Sequence, residues 1–181
     1  MHSEKKIKPA AGHRKKGGFK MNSTWNQKGV PHKGWNCIDV IDLNPDSLPR
    51  EYVDYYECEM CCKTKIRFVH VMSHPDHEDD LSVGCVCAEK MSDDYRNPKQ
   101  REGHLIRKSQ RKKKWLSLKW RTSQKGNPYL KKDGMYMTVF RDKFKEGYWK
   151  FTIEGNYSKG KFPSQDEAKL ALFEEYWKGL E

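Results

Sequence analysis

The residues best equipped for chemistry lie in one stretch, CEMCCKTKIRFVHVMSHPDHEDDLSVGCVC, from Cys58 to Cys87. It opens with Cys58-Glu-Met-Cys61 and closes with Cys85-Val-Cys87. Two close thiol pairs on either side of an apolar run form the donor set of a tetrahedral Zn²⁺ site. The first pair can sit on a tight knuckle that aims both thiolates at one ion. The expected ligands are therefore Cys58, Cys61, Cys85 and Cys87. His70, His74 and His77 lie between the pairs, and His70 or His74 could replace Cys85 as the fourth ligand. Cys62 reads as a bystander and Cys37 as a packed thiol. Disulfides would need an oxidising compartment. The opening MHSEKKIKPA is charged and lacks the apolar core of a secretory signal, so the expected location is cytoplasmic (nucleoid-associated), or nuclear in a eukaryote, and not secreted.

The elements that must hold these thiols can be read on either side. Ile66, Phe68, Val69 and Val71 suit a strand, and Leu81-Ser-Val83 a returning one. Gly84 permits a sharp turn, and Ala88-Glu-Lys-Met91 reads as the first turn of a helix. Upstream, Trp35, Ile38, Val40 and Leu43 suit a short strand that covers the zinc core, and Asn44-Pro45-Asp46-Ser47 a turn. Knuckle, hairpin and helix in this order resemble a treble-clef zinc module. With histidines in its middle, such a module also resembles the HNH nucleases. That resemblance implies a catalytic metal on His70, His74 and His77, with Asp76 nearby. Here the closing pair is Cys-x-Cys, and no Asp-His dipeptide stands before the turn at the place usual in those nucleases.

The charge distribution separates the chain into blocks. Residues 1–34 carry nine basic against one acidic residue, 35–95 five against fourteen, 96–121 eleven against one, and 122–181 eleven against nine. A zinc finger that grips phosphates should be basic. This zinc region is acidic, so its metal is expected to be structural, and its surface could contact a protein partner instead. Residues 1–34 read as a disordered basic arm. Residues 96–114 read as an exposed, poorly anchored helical connector whose run Arg111, Lys112, Lys113, Lys114 can follow a phosphate backbone. No apolar run approaches the roughly 20 residues that span a bilayer, so no membrane is expected.

Residues 115–181 show strands followed by a helix. Apolar and polar residues alternate over 115–121, Asp133-Gly134 marks a hairpin, and 148–153 places Trp149, Phe151 and Ile153 on one face. Residues 157–162 are expected to pair back. Ser164-Gln-Asp-Glu167 is a capping box that opens a helix carrying Ala168, Ala171, Leu172 and Tyr176 on one stripe. Gly147-Tyr-Trp149-Lys-Phe151-Thr-Ile153, then Gly160-Lys-Phe162, then Glu167-Ala168-Lys-Leu-Ala171 resembles the core of AP2 and integrase-arm DNA-binding domains. The likeness covers about 35 residues at the level of pattern. It implies a three-stranded sheet on one helix, with the open sheet face in the DNA major groove. Tyr148, Lys150, Lys159 and Lys161 would then face nucleic acid, together with Lys119 and Arg121. Lysines stand where plant AP2 domains carry arginines, and a double-stranded-RNA-type domain also ends with a helix on a sheet.

The expected fold class is thus α+β: a small treble-clef-like zinc module at 35–95, a basic connector at 96–114, and at 115–181 an antiparallel sheet packed on one C-terminal helix. The expected function is non-catalytic nucleic-acid binding, DNA favoured over RNA, with one structural Zn²⁺. The alternatives are a metal-dependent nuclease and a protein-interaction adaptor. No Gly-rich phosphate loop or Ser/Cys nucleophile arrangement stands out in the sequence.

Overall fold

The computed structural model describes residues 23–180. Most of the basic arm expected at 1–34 lies outside these residues. The fold is mixed α+β, with two antiparallel sheets and three helices among the described residues.

The first sheet has the order β1 (Asn36–Asp42), β2 (Phe68–Ser73), β3 (Leu81–Val83). Its central strand pairs His70 with Val40 on one side and Val83 on the other. The neighbours Val69 and His70, which point to opposite faces, are both buried, as is Met72, because elements cover both faces of β2. Helix α1 (Cys85–Ser92) begins directly after β3. Gly84 is its N-cap and offers no side-chain oxygen to the orphan N–H groups. Trp35, Met60, Met72, Val83, Ala88 and Met91 fill the core beside Cys58 and Cys87.

Residues 23–34 belong to this core, not to a free arm. Ser23 Oγ donates to the Met60 carbonyl at 2.6 Å, and Thr24 Oγ1 to the Glu59 carbonyl at 2.5 Å. Trp25 and Val30 pack against the core cluster, and Trp35 Nε1 donates to the Pro31 carbonyl. The Ser23 and Thr24 contacts pair residues more than 30 apart in sequence, so local composition gave no sign of them.

The connector expected to be a poorly anchored helix is instead packed into the fold. Helix α2 runs over Asn97–Trp115, with Pro98 in its first turn, where the missing N–H costs nothing. It is anchored at both ends of the molecule, packing on α1 and β1 and on the C-terminal helix. Ser109 and Trp115 are buried. The alternation read as a strand over 115–121 therefore starts with the last helical residue, and the strand β4 is only Arg121–Thr122.

The second sheet is a meander, β4, β5 (Pro128–Lys132), β6 (Met135–Arg141), β7 (Trp149–Ile153), β8 (Asn156–Tyr157), each strand paired with the next. Asp133 and Gly134 have φ of 49° and 81°, the two positive values that a two-residue hairpin turn requires. Helix α3 (Gln165–Lys178) lies on β6 and β7. The capping box is present: Glu167 N–H donates to Ser164 Oγ at 3.1 Å. Leu130, Met137, Val139, Phe151 and Ile153 face the helix residues Ala168, Leu172, Phe173, Tyr176 and Trp177. Trp115 closes this core from α2, so the helix is shared by both modules.

Candidate functional site

The knuckle is built by its backbone. Cys62 N–H donates to the Cys58 carbonyl at 2.7 Å, and Cys58 N–H donates to the Lys63 carbonyl at 2.9 Å. Cys62 adopts a positive φ of 59° to close the turn. The Sγ atoms of Cys58, Cys61 and Cys87 all lie within 4.8 Å of one another. Cys58 and Cys87 are buried, whereas Cys61 is exposed. Cys58 is held well below the usual thiol range, to about 5, chiefly by its hydrogen bond with Cys87 and then by the N–H groups of Gly84, Cys61 and Met60. The same bond pushes the Cys87 thiol up. A triad of converging sulfurs that already stabilises a thiolate is suited to a thiophilic cation.

The four-cysteine set expected from the sequence is not assembled. Cys85 and Cys87 both lie in α1, where successive residues advance by about 100°, so positions i and i+2 point to nearly opposite sides. Cys87 turns toward the knuckle. Cys85 turns away, toward β2 and α2, with its Sγ 3.8 Å from Glu89 Oε1. Burial, with the carboxylates of Glu102 and Glu89, pushes the Cys85 thiol up to about 12. Among the described residues, no fourth His, Cys, Asp or Glu joins the Cys58, Cys61 and Cys87 group.

The three histidines are not gathered either. His70 is fully buried between Cys37, whose Sγ is 3.9 Å from Nδ1, and Glu102, whose Oε1 is 3.0 Å from Nε2. His74 and His77 instead flank the Trp35 ring, with centroids 5.3 and 5.1 Å away. His74 Nδ1 accepts the Asp76 N–H, and His77 Nδ1 lies 2.7 Å from the Asp79 carbonyl. Glu102 sits in a basic run far from the cysteines in sequence, and no ligand spacing marks it. Cys85, Glu102 and the three knuckle-facing cysteines line one cavity of about 200 Å³.

The expected nucleic-acid residues fall into two groups. In the α2 run, Lys113 and Lys114 are exposed. Lys112 is bound between Asp46 at 2.8 Å and Glu174 at 3.0 Å, and the Arg111 guanidinium lies over the Trp177 ring. These two tie α2 to the β1–β2 connection and to α3. In the second sheet, Lys119 and Arg121 are exposed and Lys150 is half-buried. Tyr148 lies under the Lys145 ammonium, 3.6 Å from its ring centroid. Lys159 and Lys161 are not in register on the sheet. Pairing beyond β8 is limited to a Trp149–Phe162 bridge, because Ser158 turns inward and its Oγ accepts the Phe151 N–H. Lys161 reaches the buried Asp142 carboxylate at 2.7 Å.

The sheet face opposite α3 joins Arg121 and Lys150, expected from the sequence, to residues that the sequence did not mark. Cross-strand partners share a face, and one row crosses all five strands: Arg121, Tyr129, Thr138, Thr152 and Tyr157. Beside it lie the pairs Lys131–Tyr136 and Phe140–Lys150. Tyr129 packs on Tyr136, and Phe140 on Tyr157. Tyr157 is 70% exposed and Tyr136 44%, so no other element of the described chain covers this face. The period-two pattern of β5 and β6 could have found it.

No helix among the described residues is long and apolar enough to cross a membrane. Compared with known proteins, the chain matches no family model, no curated protein and no solved structure.

Proposed function

We propose that this is a non-catalytic nucleic-acid-binding protein whose N-terminal module is a treble-clef-like fold held by one structural Zn²⁺ on Cys58, Cys61 and Cys87. The knuckle, the β2–β3 hairpin and a helix that delivers a cysteine in its first turn follow one another in treble-clef order. Zinc would supply folding energy to a module whose core is small. A water would fill the fourth position.

The observation that carries the nucleic-acid reading is the open sheet face. It interleaves Arg121, Lys131 and Lys150 with four aromatic rings, and nothing in the described chain covers it. Cations on a rigid surface can pair with phosphates, and rings can stack on bases or lie against base edges. The likeness to AP2-type domains supports duplex DNA. The exposed Tyr136 and Tyr157 support a second reading, single-stranded nucleic acid, in which each stacked base contributes about 1–3 kcal/mol.

Fluorescence anisotropy with labelled duplex DNA, single-stranded DNA and RNA decides between them. The double variant Lys131→Ala, Lys150→Ala should weaken binding to all three. Tyr136→Ala with Tyr157→Ala should weaken single-stranded ligands far more than duplex. Unchanged binding in both double variants would remove this face from the interface. The same titrations with Mg²⁺ or Mn²⁺, followed by gel analysis, test for cleavage, and metal-dependent nicking would overturn the non-catalytic reading.

A further inference from the structure

A second group of donors converges apart from the three-cysteine cluster. His70 sits in the middle of β2 with its side chain wholly enclosed, and its Nε2 lies 3.0 Å from Glu102 Oε1 on α2. Cys85, the first residue of α1, completes the group. A His70 ring nitrogen, Cys85 Sγ and a Glu102 oxygen all lie within 4.8 Å of one another. We propose that His70, Cys85 and Glu102 form a second metal site, which takes a divalent ion of the zinc class.

The donor chemistry fits. Imidazole, thiolate and carboxylate are the three side-chain ligand types that zinc accepts, and a mixed set of one each selects a borderline cation over Mg²⁺ or Ca²⁺, which need oxygen donors. With His70 neutral and the other two ionised, the group carries two negative charges, which one divalent ion cancels. Lys99, whose charge is felt at Cys85, is already paired with Glu89 at 3.0 Å. The surroundings fit as well. His70 Nδ1, the nitrogen left over, faces Cys37 Sγ at 3.9 Å, a contact that can fix the ring's orientation as outer partners of ligating histidines do.

The ligands also have the placement of a site and not of a random cluster. They come from three elements, β2, α1 and α2, so a bound ion would add a common tie to parts of the chain joined pairwise by the His70–Glu102 and Glu89–Lys99 contacts. Access is provided by the cavity of about 200 Å³, which Cys85 and Glu102 line together with Lys63, Lys65 and Arg67. Three protein ligands leave one position of a tetrahedral ion vacant. Where it opens to this cavity, water or a small anion drawn by the basic residues would occupy it.

Zinc counting on the full-length protein tests the site separately from the three-cysteine site. After loading with Zn²⁺ and removal of the unbound ion, the protein should retain two ions per chain. His70→Ala, Cys85→Ser and Glu102→Gln should each retain one. Cys37→Ala should keep both but bind one of them about 10–100-fold more weakly. Cobalt substitution identifies the ion that remains, because thiolate-to-cobalt absorption grows with the number of sulfurs. In the three single variants it should be a multi-thiolate spectrum. If wild type instead holds one ion that His70→Ala abolishes, with a single-thiolate spectrum, this site stands and the three-cysteine site falls. Glu102, partly exposed at the mouth of the cavity, keeps the test decisive if His70→Ala fails to fold. A metal content that Glu102→Gln and Cys85→Ser leave unchanged from wild type overturns the proposal, and His70–Glu102 is then an ion pair bracing β2 against α2.

Discussion

Replacing Trp115 tests whether α2 belongs to the second core. Its side chain is 1% exposed. The ring stacks on Tyr176, with centroids 5.1 Å apart and planes 27° apart, and meets Phe173 edge-on at 5.1 Å. Its Nε1–H donates to the Lys169 carbonyl at 2.8 Å. A buried Trp→Ala change typically costs about 3–5 kcal/mol, through lost transfer energy and the cavity left behind. Loss of the indole hydrogen bond accounts for roughly 1 kcal/mol of that range. Domains of this size have about 5–15 kcal/mol in total, so Trp115→Ala should remove a large share. Trp115→Phe keeps a ring against Tyr176 and should cost less. Leu116→Ala, one residue on and 38% exposed, should change stability by about 0.5 kcal/mol or less. Urea unfolding followed by far-ultraviolet circular dichroism is the assay. With a denaturant dependence of about 2 kcal/mol per molar, the Trp115→Ala midpoint should fall by roughly 1.5–2.5 M. A loss of less than about 1 kcal/mol would mean that the helix end does not insert between the tyrosine and the phenylalanine, and that α2 is the loosely attached connector its composition suggests.

Three further outcomes are expected. Lys113→Ala and Lys114→Ala should each flatten the slope of log K against log salt on duplex DNA by up to about 0.9, whereas Lys112→Ala should leave the slope unchanged and lower stability, since its ammonium is held by Asp46 and Glu174. Burial alone would push the Glu174 carboxyl up, but the Lys108 and Lys112 ammonium groups outweigh it and hold the group below its ordinary value. Its contribution to stability is therefore present above the ordinary carboxylate range near 4.3 and lost as pH falls through the depressed folded value; Glu174→Gln should remove this acid-sensitive increment in thermal melts taken from pH 6 down to pH 2. Stripping metal with a chelator should abolish amide-exchange protection in β1–β3 and α1 before that of β5–β7, and equal protection with and without metal would contradict a structural ion.

What could be read from the sequence was what neighbouring residues decide among themselves. The Ser164–Glu167 cap, the Asp133-Gly134 turn and the inward face Trp149, Phe151, Ile153 are local patterns, and each is present. The knuckle pair Cys58 and Cys61 was equally legible from its spacing, and the structure brings the two thiols together with Cys87. The errors arose where a distant contact chose between two local options. Trp-Leu-Ser-Leu-Lys-Trp alternates like a strand, but the pocket formed by Tyr176 and Phe173 draws Trp115 in at the end of a helix. Cys85 and Cys87 look like a ligand pair until the helix start is known, and Gly84 carries no side-chain cap that would announce it. Trp25 stands alone in a polar stretch, and only the folded knuckle gives it a surface. Glu102 takes its place beside His70 through the docking of α2 on the first sheet, which depends on packing that no local pattern encodes.

Helix α2 also has a mechanical consequence. Its 19 residues span about 28 Å at 1.5 Å per residue. Near one end Glu102 touches the His70 strand, and at the other Trp115 is wedged under the sheet that carries Arg121 and Tyr129. A rod pinned in this way works as a lever: a tilt of 1° about the Glu102 end moves the Trp115 end by roughly 0.3 Å over the intervening 13 residues. Close packing transmits such a displacement instead of absorbing it. Events in the small acidic half of the molecule can therefore be felt, as a change of angle, by a surface with which they share no side chain.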